Sequence, residues 1–301
     1  MKILRTPDAC FHNLPDYNFE PHYTVIKDDD GTEIRIHHVD EGPRDAQPIV
    51  LMHGNPTWSY LYRKMIPELV KTGRRVIAVD LVGCGRSDKP SKKKDYTLAR
   101  HCDWMSKWLL ANELSNISLF CQDWGGTIGL YLVAQYPERF DRVIASNTGI
   151  PRGDGGNKWL KIWLFVMRFA PLFPWSLAFR NALQVSLSKQ ELHAYEKAPF
   201  PRARFQAGIT KFPQLITIFP DNPELSINLG TWGKLEQFEK PFLTLFGDKD
   251  PVSRGVERRF KKRVPGAQGQ SHKIIAGGGH FIQEEVPGVL VDEIIKFLQV
   301  N

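Results

Sequence analysis

No stretch of this sequence is apolar over a length that would span a membrane. The most apolar run, residues 159–169, contains Lys161 and Arg168 and is shorter than the ~20 residues that a transmembrane helix needs. Residues 1–19 lack the apolar core of a secretory signal peptide. From these absences we expect a cytoplasmic protein without a membrane partner.

Motifs for metals, disulfides and nucleic acids are missing as well. The four cysteines are scattered and show no Cys-x-x-Cys spacing, which argues against a zinc site or a disulfide framework. The formal net charge is +7, but the basic runs at 92–94 and 258–263 are not accompanied by a nucleic-acid-binding motif. We therefore expect neither a metal or other cofactor nor a nucleic-acid partner.

What the sequence does contain is an alternation of strand-like and helix-like segments in its first half. The predicted strands are 49–52, 76–80, 117–121 and 140–146, and the predicted helices are 60–71, 98–112 and 126–136. Such an alternation is typical of a mostly parallel, doubly wound sheet with helices on both faces. The sequence thus predicts an α/β fold.

The alternation is interrupted in the middle of the chain. Residues 151–231 are helical in character, and Ser188 and Glu191 have the spacing of a capping box. Two further strands and a final helix are predicted at 242–246, 272–275 and 287–300. We therefore divide the chain into a main domain, 1–150 and 232–301, and an inserted helical cap, 151–231. Ligands of such sheets bind beyond the carboxyl ends of the strands, where an insertion would form a lid.

The predicted strand 117–121 runs into Gln-Asp-Trp-Gly-Gly, which has the form of a nucleophile elbow. In the usual motif, Gly-x-Ser-x-Gly, a strained turn exposes one side chain above the sheet. Here Cys121 replaces the first glycine, Gly125 keeps the last one, and Asp123 occupies the nucleophile position. A carboxylate can displace a leaving group from saturated carbon and form an alkyl ester. The alternative is that Asp123 only caps the following helix.

Two later residues favour a catalytic role for Asp123. Asp250 follows a predicted strand, and His280 follows a Gly-rich turn. The chain order nucleophile, acid, histidine is the order of the α/β-hydrolases. His280 would activate water, and Asp250 would orient the imidazole and stabilise its protonated form. Asp248 is the alternative acid, and we prefer Asp250 because it lies farther past the strand end.

The segment His53-Gly-Asn-Pro-Thr-Trp58 follows the first predicted strand of the alternation. Its backbone resembles the oxyanion-hole loop of this fold, in which N–H groups face developing negative charge. We assign the oxyanion hole to Asn55 and to Trp124, the residue after the elbow aspartate. His53 is predicted to be structural. Pro56 is expected to fix the turn, and the sequence leaves the isomer of its peptide bond open.

These segments resemble the haloalkane dehalogenases, a family of the α/β-hydrolase fold. The resemblance covers nearly the whole chain, is weaker through 152–190, and is carried by HGNPTWSYLYRKMIPEL (53–69), DLVGCGRSDKP (80–90), CQDWGGTIGL (121–130) and AGGGHFIQEE (276–285). It implies that Asp123 attacks the carbon bearing the halogen. It also implies that water activated by His280 hydrolyses the resulting ester to an alcohol.

The resemblance further implies indole N–H donors for the halide. Trp124 matches the family's first halide-binding tryptophan, with core packing as its alternative role. The second donor is a cap tryptophan in one branch of the family and the asparagine of the HGN turn, here Asn55, in another. The second branch places a glutamate where this chain has Asn147, and a neutral amide cannot stabilise an imidazolium as a carboxylate does. Because Asp250 fits the first branch, we choose Trp163, and the alternatives are Trp159 and Trp175.

The remaining expectations concern the ligands. By the same resemblance, Phe212, Pro213 and Thr127 line the substrate pocket. The expected partners are a small haloalkane, water, and chloride or bromide, and we expect the chain to act as a monomer.

Three rival functions share part of this pattern. An epoxide hydrolase also uses an elbow aspartate, but its family needs two cap tyrosines, and 151–231 holds only Tyr195. A non-catalytic binding protein of the same fold would have no need of the complete triad. A serine esterase is disfavoured because the nucleophile position holds neither Ser nor Cys.

Overall fold

The computed structural model describes residues 1–154 and 175–299, in which the strands form one large sheet and one small one. In chain order the strands are β1 (Ile3–Leu4), β2 (His22–Lys27), β3 (Glu33–Glu41), β4 (Pro48–Met52), β5 (Arg75–Val79), β6 (Lys89–Pro90), β7 (Ile117–Gln122), β8 (Phe140–Ser146), β9 (Phe242–Gly247) and β10 (Lys273–Ile275). The small sheet pairs β1 with β6.

The large sheet has eight strands in the order β10-β9-β8-β7-β4-β5-β3-β2. From β10 to β5 every neighbouring pair is parallel, and only β3 and β2 are antiparallel additions at one edge. Every residue of β4, β7 and β9 is buried, as expected for strands covered on both faces. The α/β architecture predicted from the sequence is confirmed.

Helices connect the strands and complete the chain. They are α1 (Ile66–Val70), α2 (Leu98–Ala111), α3 (Trp124–Gln135), α4 (Trp175–Ala182), α5 (Lys189–Glu196), α6 (Ala207–Lys211), α7 (Leu225–Leu235), α8 (Glu257–Arg263), α9 (Ile282–Glu285) and α10 (Pro287–Gln299). None of the helices in the described ranges is long and apolar enough to cross a membrane.

One predicted helix was wrong as a continuous element. The segment 60–71 consists of a 3₁₀ turn, Ser59–Tyr62, followed by the separate helix α1. Pro67 lies in the first turn of α1. A proline there has the correct φ and needs no N–H partner, so it favours the start of a new helix over the interior of a longer one.

The described part of 151–231 contains α4, α5, α6 and most of α7, and no strand. The two ends of this insertion meet at α7, where Trp232 Nε1 donates to the carbonyl of Ile150 (2.9 Å) and Asn228 Nδ2 to that of Pro151 (3.0 Å). The predicted capping box is confirmed, because Ser188 Oγ accepts from the N–H of Glu191 and the Glu191 carboxylate accepts from the N–H of Ser188.

Candidate active site

Asp123 lies in the sharp turn between β7 and α3. Its backbone has φ 51° and ψ −123°, a conformation that is strained for a residue with a Cβ. The Thr148 hydroxyl donates to its carbonyl oxygen (2.7 Å). A Cβ at position 54 would collide with the Asp123 carboxylate, so glycine is required there. The Asp123 side chain makes no capping hydrogen bond to α3, and the turn instead directs it towards the HGN loop and a cavity.

The Asp123 carboxylate has two different neighbours. The backbone N–H of Asn55 donates to Oδ1 at 2.8 Å. Oδ2 lies 3.5 Å from Nε2 of His280. The side chain is 19% exposed, so the carboxylate is held by one strong donor and remains accessible.

Asp250 is placed on the other side of the imidazole, in the loop after β9. Its Oδ1 lies 3.1 Å from Nδ1 of His280 and also accepts from the N–H of Val252 at 2.8 Å. Its Oδ2 accepts from the backbone N–H and the hydroxyl of Ser253. Asp248, the alternative acid, instead accepts from the N–H of Gly277 at 2.8 Å. The structure therefore brings Asp250, and not Asp248, to His280.

The backbone around His280 is fixed by two buried amide side chains. Gln122 Nε2 donates to the His280 carbonyl at 3.0 Å. Asn147 Nδ2 donates to the carbonyl of Gly279 at 2.6 Å, and Asn147 Oδ1 accepts from the N–H of Gly247 at 2.8 Å. Asn147 thus joins the ends of β8 and β9 to the histidine loop. Sequence reasoning identified Asn147 only as a position without a carboxylate and missed this structural role.

The charges of the triad shift its pKa values. Burial lowers the pKa of His280, but the carboxylates of Asp250 and Asp123 outweigh burial and raise it to about 10. Burial raises the pKa of Asp250, but His280 and the donors from Ser253 and Val252 outweigh it and leave that pKa below its ordinary value. The acidic side chains on both sides of His280 therefore favour its protonated form in the free protein.

The HGN loop is held by His53 and contains a cis peptide bond between Asn55 and Pro56. His53 Nδ1 donates to the carbonyl of Gly54 at 2.7 Å, and Nε2 accepts from the N–H of Leu81 at 2.9 Å. Because Nδ1 donates and Nε2 accepts, the imidazole is neutral, and it holds the HGN loop against the segment after β5. Burial lowers its pKa from the ordinary value, which agrees with the structural role predicted for it.

A cavity of about 390 Å³ opens above Asp123, a size that suits a small organic ligand. Trp124 and Thr127 of α3 form part of its wall. Further lining comes from residues 148–151, 215–218 and 252–256. An accessible carboxylate, a histidine and a mostly apolar cavity thus meet at the carboxyl ends of the strands.

Comparison with known proteins places this geometry in a family. A sequence profile of the α/β-hydrolase fold matches residues 47–287. The chain is 48% identical to a haloalkane dehalogenase of Psychrobacter cryohalolentis, over all of this chain and 99% of the relative. It is 42% identical to a haloalkane dehalogenase of Mycobacterium marinum, over 99% of this chain and 100% of the relative. The chain belongs to the haloalkane dehalogenases.

A solved structure agrees with this assignment. The haloalkane dehalogenase DpaA from Paraglaciecola agarilytica NO2, whose structure is described as tetrameric, superposes with a TM-score of 0.89 at 31% identity, and the match covers 100% of both chains. The family, fold and enzyme class expected from the sequence are confirmed. The protein is a hydrolase that acts on carbon–halide bonds.

For a dehalogenase, the indole of Trp124 is well placed beside the elbow. Trp124 lines the cavity and is 8% exposed. Among the residues that the structure describes, none accepts a hydrogen bond from its Nε1. The side-chain oxygen of Asn55 is buried and likewise has no described partner. The predicted second halide donor, Trp163, and its alternative Trp159 lie outside the described residues.

The other predicted pocket residues differ in their positions. Thr127 lines the cavity, and its hydroxyl donates to the carbonyl of Gly149 at 2.9 Å. Phe212 is fully buried between Trp124 and His101, with ring centroids 5.1 and 4.5 Å apart. Phe212 therefore supports the Trp124 ring from outside the described cavity wall, and Pro213 is buried next to it in the same turn.

Trp175, the remaining alternative for the halide, also lies away from the described wall. It is 6% exposed and packs edge-on against Phe200, with ring centroids 5.5 Å apart. Core packing accounts for this contact.

Proposed function

We propose that Asp123, His280 and Asp250 break the carbon–halogen bond in two steps, through an alkyl ester on Asp123. In the first step, the Asp123 carboxylate attacks the carbon that bears the halogen, and the halide leaves with the electron pair of the broken bond. Because the Asn55 N–H holds Oδ1 at 2.8 Å, we expect Oδ2 to form the ester bond and Oδ1 to become its carbonyl oxygen.

In the second step, Nε2 of His280 takes a proton from water, and the hydroxide attacks Cγ of Asp123. Negative charge then develops on Oδ1, where the Asn55 N–H stabilises it, and the backbone N–H of Trp124 is the proposed second donor. The bond from Cγ to the alkoxy oxygen breaks, and the alcohol leaves with the proton from His280. Asp250 keeps the imidazole oriented and stabilises its charge.

The halide is proposed to bind to the indole N–H of Trp124 as it departs. An anion in an apolar cavity needs hydrogen-bond donors in place of water, and this N–H is not used by any described residue. Trp163 remains the proposed second donor, and Asn55 a contributor beside it. The proposed substrates are short to medium haloalkanes with chloride or bromide as the leaving group. Thr127 contributes to the pocket wall, and Phe212 and Pro213 are proposed to act from behind Trp124.

The helical cap, 151–231, is proposed as the lid over this cavity, since 215–218 forms part of its wall. All three triad residues come from one chain, which supports catalysis by a monomer. The tetramer described for the Paraglaciecola relative makes the mass in solution the direct test.

The position of Tyr195 argues against epoxide opening. That chemistry needs phenol groups that face the substrate to protonate the epoxide oxygen. Tyr195 is 1% exposed, and its hydroxyl donates to Glu284 at 2.7 Å. Its proton is therefore engaged inside the protein.

The observation that carries the proposal is the line of contacts from Asp250 through His280 to an accessible Asp123 at the cavity. The experiment is bromide release from 1-bromobutane and chloride release from 1-chlorobutane, with Asp123→Ala and the matched control Asp248→Ala. We expect Asp123→Ala to lower turnover about 10⁴-fold or more, as loss of a nucleophile does, and Asp248→Ala to keep most activity. Bromide release by Asp123→Ala within tenfold of wild type would contradict the proposal.

A further inference from the structure

The loop that carries His280 is tied to the inserted helices by one carboxylate. Glu285 ends the short helix α9, which begins two residues after His280. One of its oxygens, Oε2, accepts a hydrogen bond from the backbone N–H of Gly279, directly before the histidine. The other, Oε1, accepts from the N–H of Gln184 at 3.0 Å. Gln184 follows α4 and so belongs to the insertion.

A close approach of the two chain segments accompanies this bridge. A Cβ at position 279 would collide with the side chains of Gln184 and Glu285, so only glycine fits without a shift. Next to the bridge, Phe281 packs against Phe179 of α4 with ring centroids 4.9 Å apart, and against the His280 ring at 5.0 Å. Among the described residues, those of the insertion therefore touch the histidine loop, 279–285, through a polar contact at Gln184 and an aromatic contact at Phe179.

The other anchors of this loop come from the main domain. Asn147 and Gln122 hold the carbonyls of Gly279 and His280. Glu285 holds the N–H of Gly279, and its carboxylate also reaches the insertion. A displacement of α4 would consequently be transmitted through Glu285 to the residue before His280.

We propose that Glu285 is a positioning residue for the hydrolytic half of the reaction, coupling the placement of the inserted helices to that of His280. The inference rests on the proposed function. Attack by Asp123 on the haloalkane does not use His280 as a base, whereas hydrolysis of the ester does. Loosening the histidine loop therefore slows the second step and leaves the first step unchanged.

The test is the variant Glu285→Gln, because it keeps the size of the side chain and removes one acceptor. An amide has one acceptor oxygen and one NH₂ donor. One of the two backbone N–H groups would then face a donor and lose its partner, and either loss breaks the bridge between Gly279 and Gln184. Rapid-quench measurement of bromide and butanol from 1-bromobutane, together with the intact mass of the protein, gives the two rates separately.

We expect Glu285→Gln to lower the rate of ester hydrolysis about tenfold, with alkylation within about twofold of wild type, so that alkyl-enzyme accumulates. Glu285→Asp keeps two acceptor oxygens and should recover hydrolysis to within about threefold. It also provides a test if the Gln variant fails to fold. Glu68→Gln is the matched control, since Glu68 is exposed and forms its ion pair with the neighbouring Lys71.

Unchanged hydrolysis in Glu285→Gln, or an equal fall in both rates, would overturn the positioning role. Bromide release by the wild-type enzyme in the same experiment tests the proposed function separately. A wild type that forms no alkyl-enzyme and releases no bromide contradicts that function, irrespective of Glu285.

Discussion

Two clusters of charged residues include side chains from the segment 280–284, and their charges are compensated differently. The triad cluster consists of Asp123, Asp250 and His280, and the Arg63 cluster consists of Arg63, Lys64, Glu191 and Glu284. In the Arg63 cluster two cations face two carboxylates. In the triad cluster two carboxylates share one imidazole. Opposite charges are equal in number in the Arg63 cluster, whereas carboxylates outnumber the imidazole at the proposed catalytic site.

Short hydrogen bonds connect Arg63 to both carboxylates of its cluster. The guanidinium of Arg63 bonds both oxygens of Glu284, at 2.5 and 2.8 Å, and Oε1 of Glu191 at 2.7 Å. Lys64 and Tyr195 donate to the same Glu284. Burial raises the pKa of Glu284, but Arg63 and Lys64 outweigh it, and the pKa lies below its ordinary value. Since Glu191 belongs to α5 and Glu284 to α9, the cluster fixes both helices to the segment that contains Arg63 and Lys64.

The triad cluster is open by comparison. The Glu284 side chain is fully buried, whereas that of Asp123 is 19% exposed and lies 3.5 Å from its cation. Asp250 resembles Glu284 more than Asp123, because it is fully buried and accepts from Val252, Ser253 and His280. Of these three carboxylates, Asp123, the proposed nucleophile, is the one with a partly exposed side chain.

Among substitutions that spare Asp123 and His280, the largest effect is expected from Asp250→Asn, which removes the negative charge beside the imidazole. An amide supports the wrong imidazole tautomer and does not stabilise the imidazolium, so we expect steady-state turnover to fall by about three to four orders of magnitude. A burst of one bromide per enzyme should remain, because alkylation does not need the base. Asp248→Asn is the matched control, and equal losses in the two variants would contradict the assignment of the acid.

The next largest effect is expected on folding stability, when the Arg63 cluster loses one of its two carboxylates. Glu284→Gln leaves the buried guanidinium of Arg63 with half of its negative partners. Removing one member of a buried ion pair costs about 3–5 kcal/mol of folding free energy. Urea denaturation should show a loss near the lower end, since Glu191 remains. The exposed pair of Glu68 and Lys71 is the reference, with Glu68→Gln expected to cost under about 1 kcal/mol. Equal losses of folding free energy in Glu284→Gln and Glu68→Gln would contradict the distinction between the buried cluster and the exposed pair.

A smaller effect is expected from pH, which should act differently on the two steps of the proposed reaction. His280 has a pKa of about 10 in the free protein. Ester formation removes the negative charge of Asp123 and therefore lowers that pKa. Hydrolysis should fall about tenfold per pH unit on the acid side of the lowered pKa, because it needs a neutral imidazole. Alkylation should stay within about threefold between pH 6 and pH 9. If alkylation and ester hydrolysis slowed to the same extent towards acidic pH, this prediction would be contradicted.

Local patterns in the sequence predicted the strands and the elbow. Each of these features is encoded by adjacent residues, such as the apolar run before Asp123 and the glycines after it. The prediction of one continuous helix at 60–71 was wrong because Pro67 lies in the first turn of a separate helix. The bridges through Asn147 and Glu285 were missed because they join positions far apart in the chain, Asn147 with Gly247 and Gln184 with Glu285. No local pattern encodes such contacts.

The most direct test of the account is the intact mass of His280→Phe after exposure to 1-bromobutane. Without a base, hydrolysis stops and the ester on Asp123 persists. We expect a mass increase of one butyl group, located on the peptide that contains Asp123, with one bromide released per protein. A protein of unchanged mass after prolonged exposure, or a butyl group on a different residue, would contradict it.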